Sequence, residues 1–286
     1  MNLTEGAAQL VDAPAAQRVE YMRRRRRLHY AAGTAFLDRV QDLSHHQYAE
    51  RSLGLVLTAD QHQGKTTLLN WAFDRASASP AGQEQPAGQI RSIRVDVLPQ
   101  WSLTSLYNAC LEQLGMPVST RGDPDQKLHA LKRRIDACGT KLILMDEFHD
   151  VRQTAARHWP LILSGMRAIC NTPGLTVVLA GLPEVEHIIE SDLQLAARFE
   201  FHRLERWSNS QEYYNYLYSL LSDLPLAEPF PLLKHGPEVL KLGKYRLGHF
   251  SRIILEGACQ NAWVGKPGLA IEDLREVAAR YWHARR

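Results

Sequence analysis

The chain has 286 residues, of which 45% are hydrophobic and 23% are charged, and its formal net charge is +3. This composition excludes a disordered chain and predicts a globular protein with one large or two unequal domains. No apolar run approaches the roughly 20 residues that cross a bilayer, and the N-terminus lacks a signal-peptide pattern, so we expect a cytoplasmic protein without a membrane partner.

Residues 1–50 carry mixed charge and scattered apolar positions, and we assign them to an N-terminal helical extension. They include five consecutive arginines, Arg23–Arg27. Because such a run surrounds a helix on all sides, it does not make a single basic face. It could be a phosphate-binding arm, a segment that binds a protein partner, or a solvated part of a helix.

Residues 51–207 alternate between apolar runs and helical patterns such as "LTSLYNACLEQL". This alternation predicts an α/β domain with a parallel sheet flanked by helices. A polar tract that includes residues 79–89 predicts a flexible surface connection. The apolar runs that we expect to be strands are Leu53–Thr58, Ile93–Leu98, Lys141–Glu147 and Leu175–Gly181.

Residues 208–286 contain no further strand signal. Three segments have helical patterns, "NSQEYYNYLYSLLSDL", "GHFSRIILEGACQNAW" and "AIEDLREVAARYWHARR". The sequence therefore predicts a small all-helical domain after the sheet.

The first predicted strand leads into "TADQHQGKTTLL", which nearly matches the phosphate loop G-x-x-x-x-G-K-[ST] but has Ala59 in place of the first glycine. In such loops main-chain N–H groups hold phosphate, the lysine reaches the β- and γ-phosphates, and the hydroxyl binds Mg²⁺. A left-handed alanine costs about 1–2 kcal/mol, against about 8 kcal/mol for micromolar binding. We therefore expect Ala59 to weaken the site without abolishing it. The residues assigned to nucleotide here are Gln63, Gly64, Lys65, Thr66 and Thr67.

The run "LILMDEFHD" places two carboxylates at the end of a predicted strand, where open α/β sheets bind ligands. Asp146 can position Mg²⁺ together with Thr66, and Glu147 can polarise the attacking water. The pair could instead end a core strand and cap the next element of the chain. Its position about eighty residues after the loop, with one strand between, favours the catalytic interpretation and predicts neighbouring strands. No role is assigned to His149.

Two arginines are candidates for contacts with the nucleotide. Arg198 could reach the γ-phosphate across a subunit boundary as an arginine finger. Arg252 follows Gly248 in "GHFSRIILEGA" and could reach the nucleotide from the helical domain. An arginine beside an aromatic residue, such as Arg198, is usually a surface packing residue, and Arg252 could equally be a solvated helix arginine.

Taken together, the phosphate loop, "LILMDEFHDV", "LAGLPEVEHIIESDLQLAARFE" and "GHFSRIILEGA" resemble the AAA+ ATPases. More narrowly, the sequence looks like the TniB/TnsC family of DNA-transposition regulators. The resemblance extends from about Leu37 to the C-terminus. It implies an AAA+ core followed by a helical lid.

The resemblance also implies an ATPase that uses ATP and Mg²⁺ and assembles on double-stranded DNA as a ring or filament of copies of this chain. Such proteins recruit a DDE transposase and a targeting protein of the TniQ type. We therefore expect a regulator of transposition that itself cleaves no DNA strand.

Two positions depart from the AAA+ pattern. One is Ala59, and the other is Ala180-Gly181-Leu182, which has no polar side chain where AAA+ proteins usually carry a sensor residue after the fourth strand. Both departures suggest slow hydrolysis.

In relatives, DNA is contacted by the loops that correspond to "LPQWSL" and "MPVSTRGD". The candidate DNA-binding residues are therefore Gln100, Trp101, Thr120 and Arg121. A filament on arbitrary targets should contact phosphates and not base edges. Trp101 could equally be a core residue.

Two other functions are compatible with the sequence. A signalling AAA+ ATPase would assemble with protein partners without DNA. A nucleotide-binding scaffold would have lost hydrolysis, although Glu147 argues against complete loss.

Overall fold

The computed structural model describes residues 2–45, 53–78, 86–119, 121–153 and 159–283. The chain divides into two compact units. We call them the sheet unit, Ala32–Asp60 with Lys65–Leu204, and the helical unit, Met1–Ala31 with Gln61–Gly64 and Glu205–Arg286. The candidate Thr120 lies outside the described residues.

The sheet unit contains five parallel strands in the order β2-β3-β4-β1-β5. This sheet confirms the predicted α/β class. The expectation that the strands before the phosphate loop and before Asp146 are neighbours is wrong, because β4 pairs with both β3 and β1 and separates them. The strands are β1 (Gly54–Ala59), β2 (Ser92–Asp96), β3 (Leu142–Asp146), β4 (Thr176–Gly181) and β5 (Phe199–Leu204).

The three central strands, β3, β4 and β1, are buried along their whole length, which explains their continuous apolar sequences. Strand β5 lies at an edge, and only Phe199 and Leu204 at its ends are buried. It therefore has no apolar run and was absent from the predicted strands.

Helices cover the sheet, and one large core includes Val56, Met145 and Leu179 of the central strands. Within β1, Leu55 and Leu57 are also buried and face the opposite side of the sheet, because side chains alternate along a strand. The helices are α3 (Ala31–His45), α4 (Lys65–Ser77), α5 (Leu103–Gln113), α6 (Pro124–Cys138), a 3₁₀ helix (Phe148–Gln153), α7 (Trp159–Cys170), α8 (Glu184–Glu190) and α9 (Leu193–Ala196).

The helical unit has a second core, built around the fully buried Tyr213, Phe250 and Leu274. One of its helices, α11, contains Pro237, and prolines before and within it explain why its sequence gave no helical signal. The helices of this unit are α1 (Glu5–Ala8), α2 (Ala15–Arg23), α10 (Gln211–Ser222), α11 (Leu232–Leu242), α12 (Leu247–Trp263) and α13 (Ile271–His283).

Helix α2 ends at Arg23, the first arginine of the run, and the next residue, Arg24, is extended. The guanidinium groups of Arg24 and Arg26 bind the carboxylate of Asp223, at 2.7 and 2.9 Å. We call these three residues the arginine clasp. Burial would raise the pKa of Asp223, but hydrogen bonds from Arg24, Thr4 and Tyr21 outweigh burial and hold that pKa below its usual value.

All four cysteines are buried free thiols. Burial raises the pKa of Cys110 and of Cys170 to about 12, so these thiols stay protonated at neutral pH. Within the described ranges, no helix combines the length and apolar character needed to cross a membrane.

We predict that Asp223→Asn lowers the free energy of unfolding by about 2 kcal/mol, the scale of a hydrogen bond to a charged group. Because the pKa of Asp223 is depressed by folding, the stabilisation is present above the unfolded-state value of about 3.9 and is lost as the pH falls through the lower folded-state value. Thermal unfolding at pH 3 to 7 measures this difference. The exposed Asp12→Asn is the control; equal stability of the two variants at pH 7 would contradict the prediction.

Candidate nucleotide site

The phosphate loop connects β1, which ends at Ala59, with α4, which begins at Lys65. Ala59 is an ordinary strand residue, 4% exposed and paired with Leu204 of β5. The positive φ angles lie further on, at His62 (63°) and Gly64 (91°). The expectation that Ala59 adopts a strained, left-handed conformation is therefore wrong. Ala59 is still part of strand β1, and the chain turns only after it.

The tip of the loop, Gln61–Gly64, belongs to the helical unit. The His62 carbonyl accepts a hydrogen bond from Gly248 N–H at 2.7 Å, and the buried Gln63 side chain accepts one from Leu247 N–H at 3.2 Å. A Cβ at Gly248 would lie 2.9 Å from the His62 carbonyl oxygen. The side chain of Gln63, a predicted nucleotide ligand, is thus engaged in holding the loop on α12.

The last residues of β1 are fixed by a buried carboxylate on α8. Glu186 accepts hydrogen bonds from the Thr58 hydroxyl at 2.5 Å and from the Arg203 guanidinium of β5 at 2.8 Å. The Arg203 hydrogen bond is the main cause that holds the pKa of Glu186 below its usual value, against the opposing effect of burial. The carboxyl ends of β1 and β5 are therefore joined to α8 just before the loop.

Lys65 is 7% exposed, and its Nζ donates to the carbonyl oxygens of Ala59 and Asp60 at 2.9 and 3.0 Å. Its ammonium group is thereby positioned along the loop. The hydroxyl of Thr66 donates to Oδ2 of Asp146 at 2.7 Å, whereas Thr67 is exposed. The structure thus brings together Lys65, Thr66 and Asp146.

Asp146 ends β3 and is 2% exposed. Its Oδ1 accepts from the Glu147 N–H at 2.9 Å, and its Oδ2 accepts from Thr66 and, at 3.2 Å, from Arg94 of β2. Arg94 also binds Asp96 at 2.7 Å. Sequence reasoning missed Arg94, although an arginine inside the apolar run "IRVDVL" was an available signal.

The described residues contain no group of three or more His, Cys, Asp or Glu side chains that could hold a metal ion. Asp146 and Thr66 nevertheless present a carboxylate and a hydroxyl 2.7 Å apart, and these are hard oxygen ligands. Magnesium sites commonly combine one or two carboxylates with water and substrate phosphates. The residues present therefore fit Mg²⁺ that arrives with a nucleotide.

Glu147 follows Asp146 with a φ of 54°, uncommon for a residue with a side chain, and its side chain is half-exposed. His149 Nδ1 lies 3.3 Å from its Oε2. A Cβ on Gly181, at the end of β4, would lie 3.1 Å from the same Nδ1. The missing side chain at Gly181 thus leaves room for His149 beside the candidate catalytic carboxylate.

The two arginine candidates belong to different units. Arg198 precedes β5, at the end of the sheet where the parallel strands begin. Its carbonyl accepts from Gly54 N–H, and its guanidinium binds Asn171 Oδ1 at 2.7 Å. Lys65 lies beyond the opposite end of β1, about 20 Å away along the six residues of this strand. Arg252 is exposed on α12 of the helical unit, with its guanidinium 4.9 Å from the ring centre of Tyr281.

The candidate DNA-binding residues divide by burial. Gln100 is exposed and has a φ of 64°. Arg121 is exposed, and its N–H donates to the Ser119 hydroxyl. Trp101 is 8% exposed and packs in the core of the sheet unit, so the structure favours its packing role over a DNA contact.

The two exposed candidates precede helices that pack against each other, α5 and α6. The Ser119 carbonyl accepts hydrogen bonds from Asn108 at 3.0 Å and Lys127 at 2.6 Å. Asn108 lies five residues into α5, about 8 Å from the start of this helix. Ser119 is therefore held beside the first half of α5, the half that follows Gln100.

A family model described as "Bacterial TniB protein" matches residues 18–209. The chain belongs to the TniB family. None of the curated proteins compared shows significant sequence similarity to this TniB chain.

Several solved AAA+ structures have a similar fold. The Aeropyrum pernix ORC2 protein in ADPNP-ADP complexes has a TM-score of 0.61 and 16% identity over 91% of this chain and 71% of its own. Cdc6p from Pyrobaculum aerophilum has a TM-score of 0.61 and 13% identity, covering 90% and 69%. The Aeropyrum pernix ORC1 protein in complex with DNA has a TM-score of 0.58 and 13% identity, covering 92% and 69%. Fold and family together make this TniB protein an AAA+ ATPase that binds nucleotide.

We predict that Ala59→Gly leaves the Kd for nucleotide unchanged within about twofold, because position 59 is extended and needs no glycine. The same substitution should lower the free energy of unfolding by about 0.4–1 kcal/mol, since glycine gives the unfolded chain more conformational freedom than alanine. Fluorescent-nucleotide titration and thermal unfolding measure the two effects. Tenfold tighter nucleotide binding by Ala59→Gly would show that the alanine does impair the loop.

Proposed function

We propose that this TniB protein is an ATP-dependent regulator of DNA transposition that oligomerises on target DNA and recruits a DDE transposase and a TniQ-type targeting protein. The observation that carries the proposal is the contact between Thr66 and Asp146 beside the buried Lys65, in a chain of the TniB family. These residues bind ATP, and the assembled copies hold the DNA.

Each residue of the sheet-unit site has a distinct role in this proposal. Lys65 carries a positive charge to the β- and γ-phosphates, and Thr66 and Asp146 hold the metal ion. Mg²⁺ held by Thr66 and Asp146 would supply positive charge that offsets the negative charge developing during phosphoryl transfer. Glu147 orients the attacking water and accepts its proton as general base.

Hydrolysis in this site is slow in our proposal. At the end of β4, Gly181 has no side chain that could hydrogen-bond a γ-phosphate or the attacking water. The nearby His149 side chain lies against Glu147 instead. A slow ATPase suits a timer in which the triphosphate state preserves an assembly on DNA.

The position of Arg198 supports a role between subunits. Arg198 lies about 20 Å from Lys65 of its own chain, at the opposite edge of the sheet. It therefore cannot reach the phosphates of its own site but can be presented to the site of an adjacent copy. An arginine supplied in this way stabilises the charge that develops on the transferred phosphoryl group.

The proposed DNA surface contains Gln100 and Arg121, which are exposed and flank the first half of α5. Both contact phosphates, which supply most of the sequence-independent affinity for DNA. A DNA complex of the structurally similar Aeropyrum pernix ORC1 protein is consistent with this fold serving on DNA.

We predict that Glu147→Gln lowers the rate of ATP hydrolysis at least about 100-fold while nucleotide binding is retained, because the amide cannot accept the proton. Phosphate release measures the rate, and negative-stain imaging with duplex DNA follows the assembly. With ATP, the assembly of Glu147→Gln on DNA should last longer than that of the wild type. With ADP, neither protein should assemble on DNA.

The exposed Glu205→Gln, outside the site, is the control variant. Nucleotide-independent assembly would contradict the proposed mechanism, and assembly of equal extent without DNA would favour a signalling or scaffold ATPase.

We predict that Arg121→Ala weakens binding to duplexes of different sequence by a similar factor, because a phosphate contact carries no sequence information. A plot of log Kd against log salt concentration should lose about one unit of slope. Fluorescence anisotropy measures both quantities, and Arg133→Ala on α6 is the matched control. An unchanged salt dependence would remove Arg121 from the DNA surface.

A further inference from the structure

A groove of about 610 Å³ lies within the helical unit. Its walls come from the N-terminal residues 2–4, from the extended segment 24–28 and from the end of α10. Four of its lining residues are the arginines Arg24–Arg27, and among its described lining residues Asp223 is the only acidic one. The charged side chains that line it therefore carry a net charge of +3, from 4 − 1. We call this feature the arginine groove.

The arginine clasp fixes the backbone of this segment. The Arg26 side chain is 8% exposed, and its guanidinium binds Asp223 and the main-chain carbonyls of Met22 and Tyr21. Arg24 also binds Asp223, so the only carboxylate in the described wall is already engaged by two cations. Arg25 and Arg27 are exposed in the same segment. The clasp thus fixes the backbone that carries Arg25 and Arg27, and the four arginines outnumber the one acidic residue of the described wall.

Hydroxyl groups add neutral hydrogen-bond donors to the groove. Ser222, the last residue of α10, is 5% exposed, and its buried Oγ has no hydrogen-bond partner among the described residues. Ser219 lies one turn earlier and also lines the groove. A buried hydroxyl without a partner costs free energy unless a ligand or water satisfies it. The groove therefore offers both charge and an unused donor to a ligand with oxygen acceptors.

We propose that the arginine groove binds phosphate groups of a DNA strand and gives the protein a second DNA contact on the helical unit. This inference rests on the proposed DNA-binding function, to which it adds a site separate from Gln100 and Arg121. Arg25 and Arg27 contact the phosphates, and the clasp residues act as positioning residues.

The composition of the walls favours phosphate over an acidic peptide. Protein interfaces depend on a few anchor residues, most often tryptophan, tyrosine and arginine, in desolvated pockets, with serine and threonine under-represented. The arginines of the groove are accompanied by serine, threonine and asparagine side chains, and its apolar groups are Leu3, Leu28 and the Tyr218 ring. Guanidinium and hydroxyl groups are the usual donors to phosphate oxygens in DNA complexes.

The test compares two variants of the full chain that change the net charge equally, Arg25→Glu/Arg27→Glu and Lys234→Glu/Lys241→Glu. All four positions are exposed residues of the helical unit. The probe is a fluorescein-labelled duplex, and anisotropy is recorded with ATP over a range of salt concentrations. We expect the arginine variant to bind at least about tenfold more weakly than the lysine variant, with a salt slope reduced by about 2, at about 0.9 per phosphate.

Three results would overturn the inference in distinguishable ways. Equal DNA affinity and salt slope of the two variants, while Arg121→Ala weakens binding, would remove only the arginine groove. Absence of DNA binding by the wild type would overturn both the groove and the proposed function. Direct binding of a labelled decaglutamate peptide that needs Arg25 and Arg27, with the DNA affinity of the arginine variant equal to that of the lysine variant, would show that the groove takes carboxylates. Circular dichroism confirms that each variant folds.

Discussion

The candidate site of the sheet unit depends on the hydrogen bonds of one buried carboxylate, that of Asp146. A buried charge is costly unless it is paired and hydrogen-bonded. Asp146 meets this requirement with Thr66 of α4, Arg94 of β2 and the next N–H of its own chain. Because one carboxylate joins three elements, the hydroxyl and the carboxylate that fit Mg²⁺ are held together by contacts within the sheet unit itself.

The backbone beside Asp146 has a positive φ angle at Glu147, whereas the backbone at Ala59 is an ordinary strand. The Glu147 N–H donates to Oδ1 of Asp146, and the φ of Glu147 is positive. The next turn brings His149 next to Gly181. At the end of β1, Thr58 and Arg203 both bind Glu186, and β1 stays paired with β5 as far as Ala59. The chain then turns at His62 and Gly64, where positive φ angles are found.

Local patterns in the sequence were sufficient for the features that depend on local chemistry. The central strands were predictable because each is buried on both faces and therefore apolar throughout. Strand order was not, because the insertion of β4 between β3 and β1 is set by pairing between distant segments. Gln63 resembled a phosphate-loop residue by position, yet its side chain is buried on α12. Helix α11 was not predicted, because prolines before and within it interrupt the helical pattern.

The arginine run shows why net charge and local charge are separate questions. A formal charge of +3 spread over 286 residues predicts little about partners. At physiological ionic strength, however, screening limits electrostatic interactions to about 8 Å, so a ligand responds to the charges within one groove. Asp223 binds Arg24 and Arg26 and leaves Arg25 and Arg27 exposed beside them. One buried acidic residue thus makes two of the five arginines, Arg24 and Arg26, structural, and distinguishes them from the exposed Arg25 and Arg27.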